Sequence, residues 1–158
     1  MVITLIPFEE IAAPAMVLIH LAAFSISVIL WLFGMALTIT IKQNIVDRET
    51  KVWIALTFLV GWVIAVIGLF TASLTYPAFR TYVDPELRAI DPFTALLFDL
   101  KIWSIVIGSL TGAGTIAIAW GMESKKEARI TFILALITII MIILSALFAV
   151  LTGVKAYI

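Results

Sequence analysis

The sequence predicts an all-α integral membrane protein, built as an antiparallel up-down bundle of four transmembrane helices. Apolar residues make up 64% of the 158-residue chain and charged residues only 13%, about half the roughly 25% typical of a soluble domain. Mean hydropathy is +1.24. The apolar residues gather into four runs, each long enough to supply the roughly 20 residues that cross a hydrocarbon core at 1.5 Å per residue. These runs lack period-2 alternation and are far too long for barrel strands. At this length the chain is one membrane domain, residues 1–158, without room for a separate soluble unit.

The first span is expected at residues 13–41. The preceding MVITLIPFEE has no basic segment and no small-residue cleavage site, so it does not read as a signal peptide. Pro7 and Pro14, with Glu9 and Glu10, look like the approach to the helix, leaving Met1–Phe8 at the interface. The second span is expected at 52–76, the third at 93–120 and the fourth at 129–156. Between the second and third lies the longest polar segment, 77–92. Within it, VDPELRA has the pattern of a short helix with Asp84 as N-cap and Pro85 at its first position. Tyr76, Phe79 and Tyr82 beside Arg80 suit an interfacial belt. A lid or docking surface is the other reading of this loop.

Charge sets an orientation. Lys42, Arg48 and Lys51 join the first pair of spans, and Lys125, Lys126 and Arg129 join the second pair. With four spans these two connections share one side. The opposite side carries Arg80, Arg88 and Lys155 with the acidic Glu9 and Glu10. The positive-inside rule therefore places both termini and loop 77–92 outside the cytoplasmic membrane.

Small and hydroxyl residues recur at spacings of three, four and seven. They are His20, Ala23, Ser27, Gly34 and Thr38 in the first span, with Trp31 in the gap, and Thr57, Gly61, Gly68 and Thr75 in the second. The third has Lys101, Ser104, Gly108, Thr111 and Thr115, and the fourth Thr138, Ser145 and Thr152. Such seams let helices approach closely in lipid, and a seven-residue period favours left-handed crossings. Gly108 and Gly112 also match GxxxG, a weak signal in a membrane helix.

Composition excludes several functions. The chain has no cysteine, which removes disulfides, thiolate metal sites, iron–sulfur clusters and c-type haem attachment. No basic patch marks a nucleic-acid partner. An ionisable side chain at membrane depth points to function by default, and the single histidine, His20, lies there. Lys101 is expected at similar depth, with Asp99 nearby on a different face and Tyr76 and Arg80 closing the second span on the same outer side. His20 could ligate the iron of a b-type haem, or make a hydrogen bond between helices. Lys101 could meet a propionate, pair with Asp99, ligate iron, or snorkel to the headgroups. Arg80 suits carboxylate recognition. A second internal histidine ligand does not exist, and a lone imidazole has no zinc or copper ligand spacing. A pump or channel would need a polar track, which the inner two-thirds of the spans lack.

The string LIHLAAFSISVILWLFG around His20 and the string FDLKIWSIVIG around Lys101 resemble the four-helix membrane family of HemJ-type protoporphyrinogen oxidases and CopD relatives. The resemblance implies haem or porphyrin handling through His20 and Lys101. It rests on the first and third spans, and the chain differs in lacking further histidines and in its proline-rich loop. Two functions are thus expected. One is an accessory subunit of a larger respiratory or oxidative membrane complex, partnered by lipid and by other membrane subunits or copies of itself, with no catalysis of its own. The other is a haem- or porphyrin-binding redox protein whose cofactor-binding residues are His20, Lys101, Arg80 and Tyr76, with His20 as metal ligand.

Overall fold

The computed structural model describes the backbone of residues 6–41, 45–73 and 84–155. Within these it describes the side chains of residues 18–19, 21–41, 45–70, 85, 88–148 and 151. The described chain is nearly all helical: α1 (Ile6–Thr40), α2 (Arg48–Ser73), α3 (Asp84–Ile90), α4 (Pro92–Gly121) and α5 (Lys125–Lys155). Four of them are long and apolar enough to cross a membrane, over Leu21–Thr40, Arg48–Phe70, Pro92–Gly121 and Lys125–Phe148.

Each of the four begins earlier than the hydropathy runs suggest. The described part of α1 already runs from Ile6, ahead of the expected residue 13. Asp47 opens α2: its carboxylate accepts from the Thr50 N–H at 2.8 Å and from the Thr50 hydroxyl at 2.7 Å. Asp91 does the same for α4, accepting from Thr94 N–H at 3.1 Å and Thr94 Oγ1 at 2.7 Å, with Pro92 in the first turn. A capping box opens α5. There Glu127 Oε2 accepts from the Glu123 and Ser124 N–H groups at 2.7 and 2.9 Å. The spans expected to start at Val52 and Arg129 thus start at Arg48 and Lys125, because these caps satisfy the first orphan N–H groups. The short helix expected in loop 77–92 is present as α3, while residues 77–83 lie outside those described.

The Thr50 hydrogen bonds hold the Asp47 carboxyl below its ordinary value. A lowered folded-state value means that the cap's contribution is present above about pH 4 and fades as pH falls through the lowered value. Asp47→Ala is therefore expected to speed exchange of the Thr50 amide at neutral pH. Wild-type protection should weaken only under acid conditions, and equal protection in both proteins at pH 7 would contradict this.

Packing follows the small-residue seam. The helix α1 packs on α2 and α5, and α4 packs on α2 and α5, so α1 and α4 stand at opposite corners. Glycines set the α1–α2 register. A methyl group added at Gly34 would lie 2.7 Å from the Phe58 ring, at Gly61 2.8 Å from the Trp31 indole, and at Gly68 3.0 Å from Ala23 Cβ. On α4, Gly108 faces Met141 of α5, and Gly112 receives the Trp62 indole of α2. Ala23, Ser27, Trp31, Gly34 and Thr38 all point inward on α1, as do Ser104, Gly108 and Thr115 on α4 and Thr138 and Ser145 on α5. The α2 seam differs by one position. Ile54, Ala55, Phe58, Gly61, Ala65 and Gly68 are buried, whereas Thr57 is only partly buried at the edge of this face and spends its hydroxyl on the Trp53 carbonyl at 2.8 Å. Thr75 lies outside the described residues, and so does the Thr152 side chain.

At one end the two short connections are stitched together. The Val46 N–H donates to the Glu123 carbonyl at 3.1 Å, and Ile45 and Ser124 form an isolated antiparallel bridge. Val46, Met122 and Ala128 are buried beneath this seam as part of the core that includes Trp31, Ile54 and Phe58.

Candidate functional site

The candidate site at the other end is only partly within the described residues. His20 sits on the helical backbone of α1, and its side chain lies outside them, as do Tyr76 and Arg80 entirely. Lys101 is half-buried on α4, with Nζ 5.7 Å from the centroid of the Phe98 ring one turn earlier, within the range of a cation–π contact. Counting from contacts at the stitched end, His20 and Lys101 are each roughly 27 Å away along their helices. They stand on α1 and α4, which occupy opposite corners of the bundle.

Asp99 is not paired with Lys101. Arg88 Nη2 donates to both Asp99 oxygens, at 3.0 and 2.9 Å, and fastens α3 to α4. Two residues apart on a helix, Asp99 and Lys101 face different ways, so the arginine from α3 takes the carboxylate. Arg88 is exposed and Asp99 partly so, and the pair therefore positions α3 more than it stabilises the fold.

Between the two ends the interior is filled. A cavity of about 30 Å3 lies among Trp31, Trp62, Ser104, Gly108, Thr138 and Ser145, room for about one or two waters. Cofactor-sized pockets run from about 300 to 1,000 Å3, so the described interior does not fit a porphyrin. The small residues of the seam are packed against neighbours: Gly61 and Gly112 meet indole rings and Gly68 meets Ala23.

Most hydroxyls of the seam are satisfied locally. Thr138 Oγ1 donates to Thr111 Oγ1 across the α4–α5 contact at 2.9 Å. Ser104 and Thr115 donate to carbonyls one turn back, at Leu100 and Thr111, and Trp62 Nε1 reaches the Ser109 carbonyl at 3.3 Å. Ser27 Oγ and Trp31 Nε1 are buried with no partner among the described residues. Sequence reasoning placed both on the seam but gave no hint that they would be left unpaired. No three His, Asp or Glu side chains among the described residues gather into a metal-binding group.

Aromatic side chains mark two levels on the outside. Trp103 and Trp120 of α4 are 63% and 56% exposed and about 26 Å apart at 1.5 Å per residue. Trp53 and Phe70 bracket α2 over the same length, 61% and 64% exposed. Asp99 and Lys101 lie just beyond one level, and Glu123, Lys125 and Lys126 just beyond the other.

Comparison with protein-family models, with curated proteins and with solved structures gave no significant match.

Proposed function

We propose that this chain is a membrane-inserted, antiparallel up-down bundle serving as an accessory subunit of a larger respiratory or oxidative membrane complex. The observation that carries the reading is the contrast between a filled interior and an uncovered exterior. The interior leaves a cavity of about 30 Å3, while only 28–33% of each span is buried within the chain itself. The remainder is apolar and must be covered by lipid tails or by other membrane helices. The aromatic levels support insertion, because their separation of about 26 Å is close to the roughly 30 Å of a hydrocarbon core and aromatic belts sit at its edges.

In this reading the stitched connections face the cytoplasm, and both termini and loop 77–92 face outward, across the cytoplasmic membrane. The natural absence of cysteine makes this directly testable. A cysteine introduced at Ala89 should react with an impermeant maleimide in intact cells, and one at Glu123 should not. The reverse pattern would invert the orientation.

A second reading is haem or porphyrin binding at the outer end, with His20, Lys101, Arg80 and Tyr76 as the cofactor-binding residues. It is favoured by one observation: Asp99 is taken by Arg88, and no carboxylate among the described residues pairs with the half-buried Lys101 ammonium, which suits an anionic group such as a propionate. An absorption spectrum separates the two readings. An accessory subunit purifies without a chromophore, and Lys101→Met leaves its assembly unchanged. A Soret band that disappears in His20→Ala would replace the accessory reading with the haem one.

A further inference from the structure

At the stitched end, the last turn of α1 and the first turns of α5 part to leave a groove of about 370 Å3. Its walls have a split chemistry. Lys125 and Arg129 line one rim, and Thr38, Ile39, Ile41, Ala128, Phe132 and Ile133 form the floor and the other wall. The two cations are four residues apart on α5, so their side chains share a face about 5–6 Å apart at Cβ. Both are exposed, and no carboxylate among the described residues lines the groove. The nearest acid in sequence, Glu127, is turned instead to the Glu123 and Ser124 N–H groups.

The groove also has a definite height. Trp120, next to the end of α4, and Trp53, early in α2, mark the aromatic level at this end of the bundle. The cationic rim therefore lies at headgroup height and the apolar floor just inside the hydrocarbon. Basic pockets between membrane helices on the cytoplasmic side are where anionic lipid headgroups bind. The guanidinium of Arg129 suits the oxygens of a phosphodiester, and Lys125 adds a second point charge.

We propose that this α1–α5 groove is a binding site for one anionic phospholipid, resting on the membrane-inserted reading above. The phosphate lies between Lys125 and Arg129, and the upper part of one acyl chain runs over Ile39, Phe132 and Ile133. Its volume falls in the range of ligand-sized pockets, and its charge matches an anionic headgroup and not a zwitterionic one. The cations would hold the lipid at the seam between the first and last helices, which are joined by no direct connection in the chain.

The test is native mass spectrometry of the detergent-purified full chain, titrated with phosphatidylglycerol or phosphatidylcholine. Phosphatidylglycerol is expected to bind at one copy per chain well ahead of phosphatidylcholine. Each neutralised cation should weaken binding about fivefold, and Lys125→Gln with Arg129→Gln about thirtyfold. Lys126→Gln, which removes a charge outside the groove lining, should leave it unchanged. Ile133→Trp keeps every charge but fills the apolar floor, and is also expected to displace the lipid. Equal binding of the two lipids, equal loss in Lys126→Gln, an unaffected Ile133→Trp, or displacement by inorganic phosphate alone would each overturn the site. So would an acidic protein retained at the wild-type rim in place of lipid and released by the double substitution. If alkaline carbonate releases the chain from membranes, the insertion reading itself fails; a chain that stays inserted but shows no lipid preference loses only this site.

Discussion

Replacing Trp31 with alanine is expected to destabilise the bundle by about 3 kcal/mol, the largest loss from any single truncation. Trp31 is 1% exposed and stands where all four long helices converge. Its ring centroid is 4.8 Å from that of Phe58, and its edge lies over Gly61. In lipid the transfer of apolar surface contributes little, because acyl chains are as apolar as the core. What alanine loses is contact. A void on the order of 100 Å3, at about 24 cal/mol per Å3, accounts for most of the figure. Trp31→Phe should cost clearly less, since it keeps much of the volume and removes an indole N–H with no partner among the described residues. Reversible unfolding in mixed micelles measures both. If Trp31→Ala proves no worse than Trp103→Ala, whose side chain is 63% exposed, the packing account of the interior is wrong.

Leucine at Gly61 or Gly112 is expected to be nearly as damaging, by about 1–3 kcal/mol or more, through overpacking. At both positions even a methyl group would fall inside van der Waals contact with an indole, 2.8 Å from Trp31 at Gly61 and 2.7 Å from Trp62 at Gly112. Neither ring has free space to retreat into, because the cavity between them is about 30 Å3. Gly114 supplies the control. Nothing lies within 4 Å of a methyl group there, so Gly114→Ala should be neutral, or stabilising by up to about 1 kcal/mol from helix propensity. The same micelle unfolding assay distinguishes these outcomes, and a Gly114→Ala loss matching Gly112→Leu would show that helix flexibility, not packing, sets the cost.

Much of this arrangement was legible in the sequence, for a physical reason. In a membrane helix the inward face is written in small and hydroxyl residues, and Ala23, Ser27, Gly34, Thr38, Gly108, Thr115, Thr138 and Ser145 all lie where that pattern put them. Thr57 lies at the edge of that face, partly buried, because a threonine can satisfy its own hydroxyl on the preceding turn and needs no partner on another helix. Helix starts were misjudged because hydropathy was followed instead of capping chemistry. Asp47 with Thr50, and Ser124 with Glu127, were readable N-terminal signals that extend α2 and α5 by a turn. The pairing of Asp99 was not legible, since its partner Arg88 comes from α3 and depends on how that helix folds back. Of the candidate site, only Lys101 has a described side chain; its ring contact with Phe98 follows from the three-residue spacing. The groove between α1 and α5 could not be read from sequence at all, because it depends on how far two helices distant in the chain diverge.

In the proposed accessory role, function lies on the outside of the bundle. Along α4 the outward stripe Trp103, Ile107 and Leu110 is exposed, and the Arg88–Asp99 pair fastens α3 to the same end of that helix. Removal of residues 78–91 is expected to weaken partner association more than membrane insertion; equal loss of both would assign the loop to folding.

The most direct test is to purify the tagged chain from its native membrane in a mild detergent and measure the mass and subunit ratio of what accompanies it. The account predicts a fixed stoichiometry with other membrane subunits, lost when Trp103, Ile107 and Leu110 are replaced by alanine while the bundle's own stability is kept. A chain that purifies as a lone copy, indifferent to those substitutions, would contradict it.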